Sequence, residues 1–418
     1  MTAETFLVLR VRPNRGAPDD PSLESFAVIR GGPDGNRPDA PADFHVDAED
    51  LSARDYRDLS RDPEVAAIAP PIPIRLVRPV ALASDGQGPG ADDPPGATWG
   101  LQAIGALTAR STGRGVSVAV LDTGIDAQHA AFQGVKLIQR DFTGTGDGDT
   151  DGHGTHVAGT LFGRAVGGRR IGVAPGIQRA LIGKVLGGVG ATTATLCSAV
   201  QWALDEGAQV INLSLGYDFP GLVRRWTDDG MEADLATSRA LESYRDNIRF
   251  FDTLVALIEA QGGGSRGRRG GGVLLVAAAG NESRRDRRAD YRIAVAPPAA
   301  ADDMVSVGAL TTAGPPHDRL RIAPFSNCRP RVCAPGVAIC SAQAGTPDAL
   351  VRMSGTSMAS PHVAGLAALW AEYLAHEGFE VNAKSLRAKL EGQAGRRGLA
   401  PEAEWVDIGA GLVAAPPD

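Results

Sequence analysis

Cysteine is scarce in this sequence, whose 418 residues include only four. These four are Cys197, Cys328, Cys333 and Cys340. No two of them have the C-x-x-C spacing that is typical of zinc sites and redox motifs. We therefore expect small, buried thiols in a reducing compartment. A disulfide between Cys328 and Cys333 is the alternative if the protein is exported.

Long apolar runs and a leader segment are also lacking. No run approaches the roughly 20 apolar residues that span a bilayer. The first residues, MTAETFLVLRVRPNRG, show no basic start followed by an apolar stretch and a small-residue cleavage site. We therefore expect a cytoplasmic location, with secretion by another route left open. The net charge of −7 argues against nucleic acid or a membrane surface as a partner.

Glycine and proline are abundant, with 53 and 28 residues, but they are scattered among apolar runs, as in a large α/β protein with many turns. Residues 1–80 predict a small α+β unit, residues 81–97 a linker rich in Gly, Pro and Asp, and residues 98–418 the main domain. Within the small unit, TFLVLRVR, SFAVIRG and VAAIAPPIPIRLV predict strands, and DLSARDYRDLSRD predicts a helix.

The main domain alternates short apolar runs with helical patterns. The runs VSVAVL, ALIGKVL, QVINLSL, GVLLVAAA and MVSVGAL predict parallel strands that are covered on both faces. The segments TLCSAVQWALDEGA and SMASPHVAGLAALWAEYLA predict helices. This alternation indicates an α/β fold with a doubly wound, mostly parallel sheet. In such sheets, sites form at the carboxyl ends of the strands.

Three motifs place reactive side chains at such positions. In VAVLDTGID, Asp122 follows a strand, either as a turn residue or as a carboxylate that orients a histidine. In DGHGTHVAGT, His153 and His156 are three residues apart, whereas the HExxH zinc motif spaces its histidines by four around a glutamate. We therefore expect His153 to be presented at a helix start and His156 to pack inside. In GTSMASPHVAG, Ser357 begins a helix, either as a cap or as a nucleophile beside helix N–H groups.

Together, DTGID, HGTHVAGT and GTSMASPHVAG resemble the signatures of the subtilisin-like serine peptidases (subtilases), in the order Asp, His, Ser that is found in subtilisin. The resemblance extends over about residues 98–413. It implies that Ser357 attacks the scissile carbonyl, with His153 as general base and then acid, and that Asp122 orients the imidazole. It also implies that Asn281, in VAAAGNE, donates a hydrogen bond to the oxyanion.

The resemblance further implies which residues bind the substrate. One strand pairs with the substrate backbone, a second edge faces it, and a glutamate lies at the rim of the specificity pocket. These residues are Ser214, Leu215 and Gly216 on the pairing strand, Gly187, Gly188 and Val189 on the facing edge, and Glu282 at the rim. Pairing with main chain predicts broad recognition of peptide or protein substrates.

No cofactor is expected to be required. Where many subtilases carry a calcium-binding aspartate, this chain has Ala131, and RAVGGRR replaces their Asn-rich loop, so we expect the usual tight calcium site to be absent. The acidic loop before the first histidine is either a candidate calcium loop or a plain surface loop. Its candidate ligands are Asp147, Asp149 and Asp151.

The stretch 217–272 is longer than the subtilase core requires. It contains a helical stripe, which we expect to pack against the main domain, with the docking of a partner as the alternative. The stripe consists of Leu241, Tyr244, Ile248, Phe251, Val255 and Ile258. The basic segment GGGSRGRRGGG that follows is expected to be a connector.

Residues 1–80 resemble a subtilase propeptide, chiefly through RDPEVAAIAPP. The resemblance implies an N-terminal unit that inhibits its own chain and is cut off between about Arg78 and Ala97. The sequence thus predicts a serine endopeptidase that is made as a self-processed zymogen. Two alternatives stay open: a maturation protease that is dedicated to one cognate peptide or protein, and a catalytically silent scaffold that binds peptides.

Overall fold

The computed structural model describes residues 3–12, 43–82, 86–87, 93–187, 191–217, 219–260, 272–312 and 319–417. These ranges contain sixteen strands and nine α-helices. The strands are β1 (Glu4–Arg12), β2 (Asp43–Leu51), β3 (Val65–Ala69), β4 (Ile74–Leu76), β5 (Gly86–Gln87), β6 (Ser117–Asp122), β7 (Lys136–Asp141), β8 (Arg179–Lys184), β9 (Val210–Leu213), β10 (Leu215–Tyr217), β11 (Leu274–Ala278), β12 (Val305–Thr312), β13 (Leu320–Ile322), β14 (Val332–Pro335), β15 (Ile339–Ala342) and β16 (Leu350–Met353). The helices are α1 (Ala53–Leu59), α2 (Trp99–Ala103), α3 (His153–Phe162), α4 (Thr193–Asp205), α5 (Phe219–Asp228), α6 (Ala233–Ala260), α7 (Thr356–His376), α8 (Ala383–Gly392) and α9 (Trp405–Ile408).

Eight strands form the central sheet, in the order β13-β12-β11-β9-β6-β8-β7, with β14 also paired to β12. The strand pairs are parallel except for β12 with β13. The strands β6, β8, β9, β11 and β12 coincide with the five predicted apolar segments, and α4 and α7 coincide with the two predicted helices. The predicted α/β fold is therefore confirmed.

The central strands direct their side chains into two separate cores. In β6, Val118 and Val120 pack in a core with residues of α3 and α7, whereas Ala119 and Leu121 pack in a core with residues of α4 and α6. This alternation follows from the opposite directions of successive side chains in a strand. Because the side chains on both faces of the strand pack against apolar layers, every position of the run must be apolar.

The N-terminal segment forms an antiparallel sheet in the order β2-β1-β3. Its β2 is missing from the prediction, since DFHVDAEDL has acidic residues at four positions and reads as a loop. The predicted strand VAAIAPPIPIRLV is instead two strands, β3 and β4, because the prolines between them cannot donate ladder hydrogen bonds. The predicted strand SFAVIRG lies outside the described residues.

The insertion after β10 forms α5 and α6, and α6 packs on β3. The predicted stripe is only partly correct: Phe251, Val255 and Ile258 are buried, but Leu241 is 59% exposed. The buried face of α6 therefore includes residues that are not part of the predicted stripe. It comprises Ala236, Ala240, Asn247, Phe250, Phe251, Leu254, Val255, Leu257 and Ile258. Several of these residues share a core with Leu7 and Leu9 of β1, so the insertion joins the N-terminal sheet to the main domain. Most of the predicted connector lies outside the described residues.

All four cysteines are buried thiols. Burial raises the pKa of Cys197 to about 12 and that of Cys340 to about 11, so these thiols stay protonated at neutral pH.

Within the described ranges, no helix combines the length and the apolar character that a membrane crossing needs.

Candidate active site

Asp122 and His153 form a buried hydrogen-bonded pair. Asp122 is the last residue of β6, and its Oδ1 accepts a hydrogen bond of 2.7 Å from Nδ1 of His153. The same oxygen accepts a 2.7 Å hydrogen bond from the Thr123 N–H, which fixes the carboxylate. Burial disfavours the protonated imidazole, but the charge of Asp122 and its hydrogen bond outweigh this effect, and the pKa of His153 is raised.

Two glycines let the chain present His153 at this place. Gly152 precedes α3 with a φ of 90°, in the left-handed region that glycine adopts without a steric penalty. A Cβ on Gly154 would lie 2.2 Å from the carbonyl oxygen of Gly124, so only glycine allows α3 to approach the loop after β6. The glycines on either side of His153 are thus required for steric reasons, in addition to the chemical role of the histidine.

The carboxylate of Asp149, in the acidic loop before α3, forms hydrogen bonds with the first turn of this helix. Oδ2 of Asp149 accepts hydrogen bonds from the N–H and the hydroxyl of Thr155, at 2.8 and 2.7 Å. Its Oδ1 accepts from the Gly152 N–H at 2.8 Å and from the Thr123 hydroxyl at 2.9 Å. That hydroxyl accepts in turn from the Gly154 N–H at 2.9 Å. Asp149 therefore ties the loop after β6 to the helix that begins with the histidine.

The described residues contain no group of three His, Cys, Asp or Glu side chains that could hold a metal ion. Among the candidate calcium ligands, Asp149 has both oxygens engaged with protein donors, while Asp147 and Asp151 are exposed.

His156 is fully buried and hydrogen bonds through Nε2 to the Ile339 carbonyl at 2.8 Å. Burial lowers the pKa of His156 to about 3, so it is a neutral core residue, as its position in the motif predicts.

Ser357 is the second residue of α7 and is fully buried. Its carbonyl oxygen accepts a 3.3 Å hydrogen bond from the hydroxyl of Ser214, which lies between β9 and β10. The Ser214 hydroxyl is also 3.0 Å from that of Ser360, one turn along the helix. The first-turn N–H groups of a helix lack intrahelical partners, and together with the helix dipole they favour negative charge at this point. A hydroxyl here is well placed to attack a carbonyl group, because these N–H groups can stabilise the oxyanion that forms on the carbonyl oxygen.

Asn281 follows β11 and is held by the start of α7. Its Oδ1 accepts hydrogen bonds from the N–H and the hydroxyl of Thr356, both at 2.9 Å. That hydroxyl accepts in turn from the Gly280 N–H at 3.1 Å. Because both donors face Oδ1, the amide Nδ2 must point the other way, into the cleft. Arg284 braces the backbone here by donating to the Asn281 carbonyl at 2.8 Å.

The cleft beside these groups is filled by the chain's own β4. This strand pairs with β10 in antiparallel register, with Gly216 opposite Arg75 and Leu215 opposite Leu76. The pairing extends to a 3.4 Å hydrogen bond from the Val77 N–H to the Ser214 carbonyl. The predicted pairing strand, residues 214–216, therefore contacts an extended peptide main chain in this structure.

The N-terminal end of β4 also contacts a second edge on the opposite side of the cleft. The Ile74 N–H donates to the Ala191 carbonyl at 3.0 Å, and Pro73 forms a bridge with Thr192. Gly187 is exposed, and Gly188 and Val189 lie outside the described residues. Residues 191–193 were not identified from the sequence, because so short a segment of ordinary composition shows no strand pattern.

Glu282 is exposed near the start of the loop that follows β11. Its Oε2 accepts a 2.7 Å hydrogen bond from Nδ2 of Asn327, and its N–H donates to Oδ1 of the same side chain at 3.1 Å. Asn327 is buried and was not identified from the sequence. The side-chain amide of Asn327 thus holds Glu282 in place, and the position of Glu282 at the rim of the specificity pocket stays a prediction.

Relatives of the chain were found by both sequence and structure. The model of the subtilase family matches residues 113–405. The intracellular serine protease of Paenibacillus polymyxa is 32% identical over 284 residues, which are 66% of this chain and 72% of that protein. Subtilisin DY of Bacillus licheniformis is 30% identical over 263 residues, which are 62% of this chain and 77% of that protein. Subtilisin-like protease 3 of Pseudogymnoascus destructans is 30% identical over 317 residues, and this chain spans 63% of its length.

Among solved structures, fervidolysin from Fervidobacterium pennivorans, described as a keratinolytic enzyme related to subtilisin, is similar with a TM-score of 0.63. The match covers 99% of this chain and 60% of that one at 22% sequence identity, which speaks to the fold alone. The family model covers well over half of the chain, and it includes all three signature motifs. The chain belongs to the subtilase family.

Proposed function

We propose that this chain is a serine endopeptidase with Ser357 as nucleophile. The observation that carries the proposal is a peptide main chain seated in the cleft, with carbonyl oxygens on the Ser357 hydroxyl at 2.8 Å and on the Asn281 amide at 2.9 Å. The buried Asp122–His153 pair supplies the base that a hydroxyl nucleophile needs. The family membership supports the same activity.

In the proposed reaction, Ser357 Oγ bonds to the scissile carbonyl carbon while its proton passes to Nε2 of His153. Asn281 Nδ2 and the N–H groups of the first turn of α7 stabilise the resulting oxyanion. The carbon–nitrogen bond then breaks, and His153 returns the proton to the leaving amine. Water then bonds to the acyl carbon while His153 takes its proton, and the carbon–oxygen bond to Ser357 breaks as His153 returns that proton to Ser357 Oγ. No step requires a metal ion.

We further propose that the N-terminal unit inhibits the peptidase within the same chain. The strand β4 covers the pairing edge at β10, and its Ile74 is 4% exposed in the cleft. A substrate must pair with the same edge, so it competes with β4. Displacement of this strand is therefore the step that exposes the site to peptide or protein substrates.

The test uses the full chain and the variant Ile74→Asp, whose buried charge disfavours docking of β4. We expect the variant to hydrolyse a fluorogenic peptide library faster than the wild type, because the pairing edge is exposed. Adding Ser357→Ala should abolish this hydrolysis. A matched control is Ser341→Ala, a buried serine whose hydroxyl bonds to the His156 carbonyl, and it should keep the activity. Equal hydrolysis with and without Ser357 would reject the proposal.

A further inference from the structure

The side-chain amide of Asn327, a fully buried residue between β13 and β14, is hydrogen bonded at both of its polar atoms. Its Oδ1 accepts from the N–H groups of Glu282 and Ser283, both at 3.1 Å, and from the Ser283 hydroxyl at 3.3 Å. Its Nδ2 donates to Oε2 of Glu282 at 2.7 Å and to the carbonyl oxygens of Ala279 and Ala294, at 3.1 and 3.4 Å. Of the side chains this short, only asparagine combines two donor hydrogens with an acceptor oxygen.

The residues that Asn327 binds lie on both sides of Asn281, the proposed oxyanion donor. Residues 282 and 283 follow Asn281, and on its other side the Asn327 N–H donates to the Gly280 carbonyl at 3.0 Å. Gly280 has a φ of 107°, and a Cβ on it would lie 2.3 Å from Nδ2 of Asn327. The amide therefore packs directly on the loop, and residues 279–283 turn around it with Asn281 in the middle.

The segment that carries Asn327 is itself fixed to its surroundings. The hydroxyl of Ser326 accepts a 3.0 Å hydrogen bond from the Ala309 N–H of β12. On the other side, the Cys328 N–H donates to the Ile293 carbonyl at 2.7 Å. Because both neighbours of Asn327 are held, its amide is a rigid support for the loop that it binds.

The place of the Asn281 amide depends on this loop. Thr356 holds Oδ1 of Asn281, so the position of Nδ2 follows from where the backbone of the loop lies. An oxyanion donor must lie about 2.7–3.1 Å from the oxyanion, and a misplacement of about 1 Å costs roughly 100-fold in rate. Asn327 and Ser283 are fully buried, so water cannot readily replace their hydrogen bonds. A loop without the Asn327 amide must shift to find other partners.

We propose that Asn327 is a positioning residue of the peptidase, which holds Nδ2 of Asn281 at the place where the oxyanion forms. It acts through residues 279–283 and not by contact with the substrate. This inference rests on the proposed function. It assigns part of the transition-state stabilisation to a residue that lies 46 positions after Asn281 and outside the three signature motifs.

The experiment is a double-mutant cycle in the opened enzyme Ile74→Asp. It measures kcat and KM on a fluorogenic peptide, with the active sites counted by a fluorophosphonate probe. Asn327→Ala should lower kcat by about 10–100-fold with KM little changed, because the donor is displaced. In a chain that already carries Asn281→Ala, the same substitution should change kcat by less than about twofold, the usual error of additivity. A merely structural role would give the same loss in both backgrounds.

The matched control is Asn382→Ala, which removes an amide that caps α8 by accepting from the Ser385 N–H at 2.8 Å. This variant should keep the kcat of its parent. A thermal melt reports whether each variant is folded. If Asn327→Ala does not fold, Asn327→Asp gives the same test, because it keeps the size of the side chain and an acceptor oxygen but loses the donors of Nδ2. It should show the same loss of kcat and the same dependence on Asn281.

A folded Asn327→Ala or Asn327→Asp chain with the kcat of its parent overturns the inference. An equal loss of kcat with and without Asn281→Ala overturns it as well. In both cases the active parent leaves the proposed function intact. A parent without hydrolysis that depends on Ser357 rejects the proposed function, and this inference with it.

Discussion

The insertion helix α6 holds the N-terminal unit through one buried polar contact, and its removal should raise the basal activity. Nδ2 of Asn247 donates to the carbonyl oxygens of Pro70 and Ser243, both at 2.9 Å, and the side chain is fully buried. Pro70 lies just after β3 and shortly before β4, the strand that pairs with β10. The contact with Ser243 lies within α6 and persists when the N-terminal unit leaves. The substitution Asn247→Ala therefore weakens the docking of the N-terminal unit by removing the hydrogen bond to the Pro70 carbonyl oxygen.

The size of the effect follows from this contact. Losing a typical hydrogen bond to the half-buried Pro70 oxygen costs about 0.5–1.5 kcal/mol. Each 1.4 kcal/mol corresponds to roughly a factor of ten in an equilibrium constant. The population with an open cleft, and with it the basal rate, should rise by roughly 2–12-fold.

The assay is hydrolysis of a fluorogenic peptide by the full-length chain, with Ser357→Ala as the background. The control Thr253→Ala lies on the same helix, where its hydroxyl bonds to the Arg249 carbonyl, and it should leave the rate unchanged. Urea unfolding of both variants shows whether the main domain is intact. If folded Asn247→Ala hydrolyses the peptide no faster than Thr253→Ala, the contact between Asn247 and Pro70 does not keep the N-terminal unit on the cleft.

Further predictions concern the opened enzyme, represented by Ile74→Asp. Asp149→Ala should lower the free energy of unfolding by about 1–2 kcal/mol, as for loss of a helix cap, measured by urea denaturation; its kcat should fall as well, and an unchanged kcat would contradict the positioning role. Asn281→Ala should reduce kcat by about 100–1,000-fold with KM little changed, as removal of this donor does in subtilisin; a loss in KM alone would contradict it. Because the pKa of His153 is raised and the base must be neutral, activity should rise with pH through a midpoint above 6.5, and Asp122→Asn should move the midpoint down. Dialysis against a chelator should leave the hydrolysis rate unchanged, and a loss restored by calcium would show that the acidic loop binds metal.

The central sheet and the triad motifs could be predicted because their signals are local. A run such as VSVAVL must be apolar at every position when helices cover both faces, and Asp122 marks its end. The glycines beside His153 are similarly dictated by a close approach that no other residue permits. These constraints act within a few residues, so one sequence reveals them.

The contacts that determine the state of the site could not be predicted, because they join distant segments. The hydrogen bond from Ser357 to Val77 spans 280 positions, and nothing in RLVRPVA indicates which of the carbonyl groups of this segment contacts Ser357. Asn247 interrupts an apolar stripe and looks like a surface residue, yet it is buried against Pro70. Such contacts follow from tertiary packing, which overrides local pattern.

The most direct test of the central claim is to locate the adduct that a fluorophosphonate probe forms with the Ile74→Asp variant. Peptide mapping by mass spectrometry should find one adduct per chain, on Ser357, and none when Ser357→Ala is added. The wild type should react more slowly, because its hydroxyl bonds to Val77. A folded variant that forms no adduct, or that reacts at a residue other than Ser357, would contradict the account.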